Sequence, residues 1–165
     1  MPLSLQNKKE IVAKMHKIAN VALSIVTADS RGVTANNITE LRKLSRDIGV
    51  KISIVRNTLL NLAIQGTSFE CLKNKLNGPT LIAYSLEHEG SAARLLKNFA
   101  KKNKNFKITG GAFEKKLLSI LQVNHLADMP TYNEAITFFI TLTKEVAVGK
   151  LIRTLSSISQ KKENN

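Results

Sequence analysis

The segment from Pro130 to the C-terminus constrains this chain most, because it reads as one long helix whose apolar residues have no obvious body of protein left to pack against. Thr131 and Glu134 form a capping box directly after Pro130, each side chain satisfying a backbone N–H left free at the helix end. From there Ala135, Ile136, Phe138, Phe139, Ile140, Leu142, Val146, Ala147, Val148, Leu151, Ile152, Leu155 and Ile158 recur at steps of three and four residues, a helical stripe rather than a strand. No proline interrupts it, and Lys161, Lys162, Glu163, Asn164 and Asn165 are a polar finish too short to cover such a surface. Two coverings stay open: the helix folds back onto its own domain, the usual source of helix stability, or another molecule sheathes it. Ala135 to Leu142 is apolar almost all the way round, broken only by Thr137 and Thr141, which asks for burial on several sides. Lys144 and Glu145 cut the run well short of the roughly 20 residues a bilayer demands, so a membrane span is excluded. Gly149 sits mid-pattern, where it costs about 1 kcal/mol relative to alanine, and marks a kink between two apolar segments.

Charge points to a polyanionic partner. The chain carries 25 Lys+Arg against 12 Asp+Glu, a formal net charge of +13, which is far more than solubility needs and fits nucleic acid. Of this, +2 belongs to residues 134–165 (Lys144, Lys150, Arg153, Lys161 and Lys162 against Glu134, Glu145 and Glu163), leaving +11 for the front of the molecule. At 165 residues the length suits one globular domain over residues 1–130 and an appendage over 131–165. Cys71 is alone, so no intramolecular disulfide forms. Lys8, Lys9 and Glu10 are not followed by a signal-peptide-like apolar segment, and a cytoplasmic protein is the expectation.

Along the front part, helical and strand-like stretches alternate. Ser4 caps a helix through about Ala19, with Leu5, Ile11, Val12, Met15, Ile18 and Ala19 inward. Val21 to Thr27 and Ile52 to Val55 read as strands, with a helix from Thr34 to Ile48 between them that Gly49 stops. Asn57 or Thr58 starts a helix through Ile64; Thr67 and Glu70 open the next by a second capping box. Gly78 and Pro79 introduce a strand through Tyr84, Ser91 to Ala100 is helical, and Phe106 to Phe113 is strand-like with a bulge at Gly110 and Gly111. Such alternation by itself leans to crossover units and a parallel sheet.

Catalysis finds little support. His16, His88 and His125 are far apart, with no cysteine or carboxylate at metal-ligand spacing, and no nucleophile elbow of the G-x-S-x-G kind occurs. Gly149 and Lys150 resemble the end of a phosphate-binding loop, yet Leu151 replaces the required Ser/Thr and Lys144 sits where the first Gly should be. Neither metal nor cofactor is expected.

RNA binding fares better. Arg31 lies in a loop before a helix, and Arg56 lies between a strand end and a helix N-terminus, where free N–H groups and the helix dipole favour phosphate. Arginine adds a planar fork of donors that matches phosphate oxygens. Arg42, Lys43 and Arg46, followed by Lys51, offer a basic face to join the two loops, whereas Lys101, Lys102 and Lys104 read as solvated surface. Aromatic content is 5% with no Trp and no paired aromatics on a strand, which favours a folded RNA read by shape and backbone over stacked single strands.

Several segments together, in order and spacing, resemble the bacterial large-subunit ribosomal stalk protein L-ten family: residues 1–7, Ala28 to Thr34, Thr39 to Arg42, Val55 to Leu60, Phe69 to Leu72, Gly78 to Tyr84, Leu126 to Thr131 and Gly149 to Leu155. The resemblance implies a ferredoxin-like α+β front domain with a four-stranded, mainly antiparallel sheet, followed by a long C-terminal α-helix. It further implies binding to large-subunit ribosomal RNA beside ribosomal protein L-eleven, with the helix as a spine for dimers of the acidic stalk protein L-seven/L-twelve, which recruit translational GTPases. Carried over by position, it makes Lys8, Lys9, Ser30, Arg31, Gly32, Arg42, Arg46, Lys51, Arg56 and Asn57 RNA-facing. On the spine it gives Ala135, Ile136, Phe139, Ile140 and Leu142 to one dimer and Val146, Val148, Leu151, Ile152 and Leu155 to a second. Heavier residues such as Phe138 and Phe139 replace part of the family's alanine-rich character. The competing reading is a free RNA-binding regulator, for example a translational repressor of its own message, whose last helix closes its own core or self-associates.

Overall fold

The computed structural model describes residues 4–103 and 105–163. The readings placed on residues 1–3, Lys104, Asn164 and Asn165 lie outside them. The chain forms two compact units, Met1–Met129 and Pro130–Asn165.

The first unit runs α1 (Leu5–Val21), β1 (Ser24–Asp29), α2 (Ala35–Asp47), β2 (Val50–Ile54), α3 (Asn57–Ile64), a 3₁₀ segment (Glu70–Lys75), β3 (Thr80–Ser85), α4 (Ser91–Lys102), β4 (Lys107–Phe113), β5 (Lys116–Leu118) and α5 (Ile120–Asp128). Ser4 and Thr34 cap α1 and α2 by accepting from the N–H groups of Asn7 and Asn37. Leu5 is exposed, so the inward face of α1 begins later than its apolar pattern does.

The sheet has the order β2-β3-β1-β4-β5, and every neighbouring pair is antiparallel. That corrects the parallel sheet to which the alternation leaned. Strands β1 and β2 both run antiparallel to β3, so α2 does join two parallel strands, but β3 has slotted between them; β4 likewise lies parallel to β3 with β1 between. Two interleaved crossovers of this kind are the ferredoxin-like pattern, and the fold is α+β. The short β5 adds a fifth strand beside β4. The bulge falls where Thr27 pairs with Gly110 while Ala28 pairs with Ile108, leaving Thr109 as the extra residue next to the expected glycines.

Helices cover both faces of the sheet. The central strands β1 and β3 are buried along nearly their whole length, so alternate residues feed two cores. Val26, Ala28, Leu81 and Ala83 pack with Leu41 of α2, Leu96 and Phe99 of α4, and Val123 and Leu126 of α5. Ile25, Ile82 and Tyr84 pack on the other face with Ala19 of α1, Leu60 and Ile64 of α3, and Phe69 and Leu72.

Thr67 and Glu70 do not open an α-helix. The Thr67 hydroxyl donates to the Ile64 carbonyl at 2.7 Å and so closes α3, and the 3₁₀ segment that follows has no side-chain cap. Glu70 instead accepts from Lys73 Nζ at 2.5 Å, and this hydrogen bond and charge hold its carboxyl below the usual carboxylate range.

The second unit is helical: α6 (Tyr132–Lys144), a π turn (Glu145–Gly149) and α7 (Lys150–Glu163). The capping box forms as read, Glu134 N–H donating to Thr131 Oγ1 and Thr131 N–H to Glu134 Oε2. Gly149 ends the π turn, an interruption where the glycine signalled a kink.

Candidate nucleic-acid interface and exposed helix

Three chain segments meet at one end of the sheet. Register sets this: Asp29 at the end of β1 pairs with Thr80 at the start of β3, Ile54 at the end of β2 pairs with Leu81, and Asp29 also pairs with Lys107 of β4. The loops beyond these residues are therefore neighbours, although they are separated in sequence.

Side chains then lock them. Ser30 donates through both N–H and Oγ to the Pro79 carbonyl, each at 3.2 Å. Asn57 Nδ2 donates to the carbonyls of Leu76 and Gly78, both at 2.9 Å. Gly78 has φ +79°, and a Cβ there would lie 2.7 Å from Arg31 Nη2. The positive φ of this turn favours glycine, and the absent side chain leaves room for the Arg31 guanidinium to pass across it. Arg31 is further steered by Asp29, which accepts from its N–H at 3.0 Å and lies 3.7 Å from Nε, while the side chain stays 71% exposed. Asn105 Nδ2 donates to the Gly32 carbonyl at 3.2 Å.

Arg56 is the N-cap residue of α3, and no side chain caps that helix. The first N–H groups of α3 therefore remain available beside an exposed arginine, which is the local arrangement that attracts a phosphate. Ser30, Arg31, Gly32, Arg56 and Asn57 lie on loops at this one end of the sheet, with Asn57 as an internal strut.

The remaining expected residues lie elsewhere. Lys51 pairs opposite Tyr84, three residues back along β2 from Ile54 and so about 10 Å from the cluster end. Arg42 and Arg46 are exposed along α2 and lead away from its N-terminus, with Arg46 in the last turn. These three form a basic flank along α2 and β2, while the hydrogen bonds that tie the loops together run through Asn57 and Gly78. Lys9 and half-buried Lys8 belong to α1, on the opposite face of the sheet from α2. Gly78, Asn105 and exposed Lys107 were missed. Their only signal was the Gly78-Pro79 turn, which read as a strand entry.

The second candidate surface is the C-terminal helix. No residue of α6 or the π turn is buried. Phe139 is 70% exposed and Leu151 64%; Ile136, Ile140, Leu142, Val146, Val148, Ile152 and Leu155 are exposed as well, and Ala135 is half-buried. The described residues contain no group of three or more His, Cys, Asp or Glu able to hold a metal ion, and no helix long and apolar enough to cross a membrane.

Comparison with known proteins gives the family. The profile of the family described as ribosomal protein L10 matches residues 4–101. The protein named large ribosomal subunit protein uL10 from Buchnera aphidicola subsp. Acyrthosiphon pisum is 62% identical over 165 residues, covering 100% of both chains. Proteins of the same name from Erwinia tasmaniensis and Cronobacter sakazakii are 54% and 53% identical over 163 residues, covering 99% of this chain and 98% and 99% of their own. A match over more than half the chain by profile and over its full length by these relatives settles the kinship: the chain belongs to the ribosomal protein L10 family.

Proposed function

We propose that this protein is a structural, non-catalytic constituent of the large ribosomal subunit and the base of its stalk. The unit Met1–Met129 binds large-subunit ribosomal RNA beside ribosomal protein L-eleven, through the Arg31–Arg56 loop cluster with the α2 flank as a secondary basic surface. The unit Pro130–Asn165 holds dimers of the acidic protein L-seven/L-twelve, two by the number of apolar segments, and through them recruits translational GTPases.

One observation carries this reading. A helix with more than a dozen apolar side chains buries none of them, and it accompanies a unit that holds most of a +13 charge. Exposed apolar surface of that extent marks an interaction site. Its anchors at three- and four-residue spacing suit a helix-in-groove mode of recognition.

The test is mass on mixing. The full-length protein combined with acidic stalk protein forms a defined complex containing several partner copies, read by light scattering or native mass spectrometry. No gain in mass, with the helix instead pairing two copies of this chain, overturns the reading in favour of a self-associating regulator.

A further inference from the structure

The π turn at Glu145–Gly149 stands between the two apolar segments, and its effect is angular. In an unbroken α-helix each residue advances about 100° around the axis. Lys150, eleven residues after Phe139, would then sit about 20° from it, while Leu151 and Leu155 would lie about 120° and 160° away. The charged side of the second segment would continue the apolar side of the first. A π turn absorbs one residue more than an α turn, so everything after it is turned back by about 100°. Leu151 then falls within about 20° of Phe139, Ile152 within about 20° of Ile140, and Ile158 and Leu155 directly in line with Phe139 and Ile136. Lys150 swings about 80° aside.

A side-chain clasp holds that turn. The Glu145 carboxylate folds over Gly149, where a Cβ would meet its oxygen at 2.6 Å, and reaches on to Arg153 in a close ion pair. Glu145, Gly149 and Arg153 are spaced four residues apart, and the missing side chain in the middle leaves room for the outer two to meet across it.

We infer that the Glu145–Gly149–Arg153 clasp rephases the spine, aligning two otherwise divergent apolar segments into one continuous docking stripe for the helices of an acidic partner. This rests on the proposed role of the unit as a spine. The acidic character of the occupant follows from the charge of residues 134–165, five basic against three acidic, with Lys150 beside the stripe after the π turn and Lys161 and Lys162 further on in sequence. A partner groove laid along one side meets Phe139, Leu151 and Ile158 without winding round the rod.

The experiment uses full-length protein in a Cys71→Ser background, spin-labelled at Lys144→Cys and Ser156→Cys. With the π turn these positions lie about 20° apart around the axis, and without it about 120°. Three chains are compared: the parent, Glu145→Ala/Gly149→Ala, and that double variant with Ala147 also deleted. Removing one residue from an unbroken α-helix restores the parent's phase by a different route. The double variant is expected to lengthen the label distance by several ångströms and to weaken the joint binding of acidic stalk dimers by about tenfold or more. The deletion returns both to parent values. Equal label distances in all three chains overturn the inference, and so does unaltered binding in a double variant whose distance has changed. If the parent gains no mass with stalk protein, the spine reading itself fails, whatever the distances.

Discussion

Helices α5 and α6 start twelve residues apart, each under a complete capping box, Ser119 with Gln122 and Thr131 with Glu134. One buries Val123, Leu126 and Ala127; the other buries nothing. The caps and the apolar content specify a helix in both cases, and they say nothing about what covers it. Covering is decided by what the fold brings near. For α5 it is α4: a Cβ on Gly90 would lie 2.6 Å from the Leu126 carbonyl, Arg94 donates to the carbonyls of Ala127 and Met129, and Lys97 Nζ donates to Asp128 Oδ1 at 2.6 Å. Helix α6 is apolar over most of its circumference and buries no residue, which under the proposed role leaves that cover to a partner.

The largest expected effect breaks this contrast directly. Leu126→Ala costs about 2–5 kcal/mol of global stability, since Leu126 is 3% exposed and its loss leaves a cavity. Phe139→Ala in the free protein stays within about 0.5 kcal/mol, because a side chain already in water has little to lose. Urea unfolding followed by circular dichroism measures both. A Phe139→Ala cost as large as that of Leu126→Ala would mean the spine is covered within its own chain. In the complex the order reverses, and Phe139→Ala weakens partner binding where Leu126→Ala acts only through folding.

Arg56→Ala sharpens the same division on the RNA side. It is expected to weaken binding to a large-subunit rRNA fragment and to lower the slope of log affinity against log salt by about one, with thermal stability unchanged. Lys51→Ala, on the basic flank, shifts affinity less. Equal losses from both would spread the interface over the whole basic surface rather than centring it on the loop cluster.

The C-terminal helix was legible because its reading needed only periodicity and a cap, both local, whereas what covers it was left open. The loop cluster was half legible. Arg31 and Arg56 announce themselves as basic residues at element ends, but the convergence of Arg31 and Asn57 on Gly78 depends on β3 entering the sheet between β1 and β2, and no local pattern encodes that insertion. The same non-local fact defeated the parallel-sheet reading. The π turn was visible only as Gly149; that Glu145 spans it to Arg153 depends on the turn's geometry, which no residue pattern encodes. No element was legible over residues 114–125, because a three-residue strand is too short to show a period and the Ser119–Gln122 capping box precedes a helix of only nine residues.

Thr131→Ala and Ser119→Ala remove equivalent hydrogen bonds from the two helices, each worth about 1 kcal/mol. Loss at Ser119 appears in global unfolding, because α5 is part of the core. Loss at Thr131 appears instead as faster amide exchange in the first turns of α6, with the global midpoint unmoved. A midpoint that shifts equally in both would show α6 folding cooperatively with the core.

The smallest effect at neutral pH compares two tyrosines. Tyr132, on α6, is 75% exposed; Tyr84, on β3, is fully buried, and its hydroxyl has no hydrogen-bond partner among the described residues. Burial alone pushes the Tyr84 hydroxyl from its ordinary value of about 10 up to about 12. Tyr84→Phe therefore removes an unsatisfied polar atom and is expected to be neutral or stabilising by about 1 kcal/mol at pH 7, with Tyr132→Phe silent. The pH dependence has a definite sign. Below pH 10 both folded and unfolded Tyr84 are protonated and stability does not respond to it. Between about 10 and 12 the unfolded chain gives up the proton while the folded one keeps it, so stability falls with rising pH, by up to about 1.4 kcal/mol per unit. Unfolding midpoints followed from pH 8 to 12 should show that alkaline loss shrinking in Tyr84→Phe and persisting in Tyr132→Phe; an identical decline in the two variants would mean that water reaches Tyr84 and that the sheet face beneath α1 and α3 is less closed than its packing indicates.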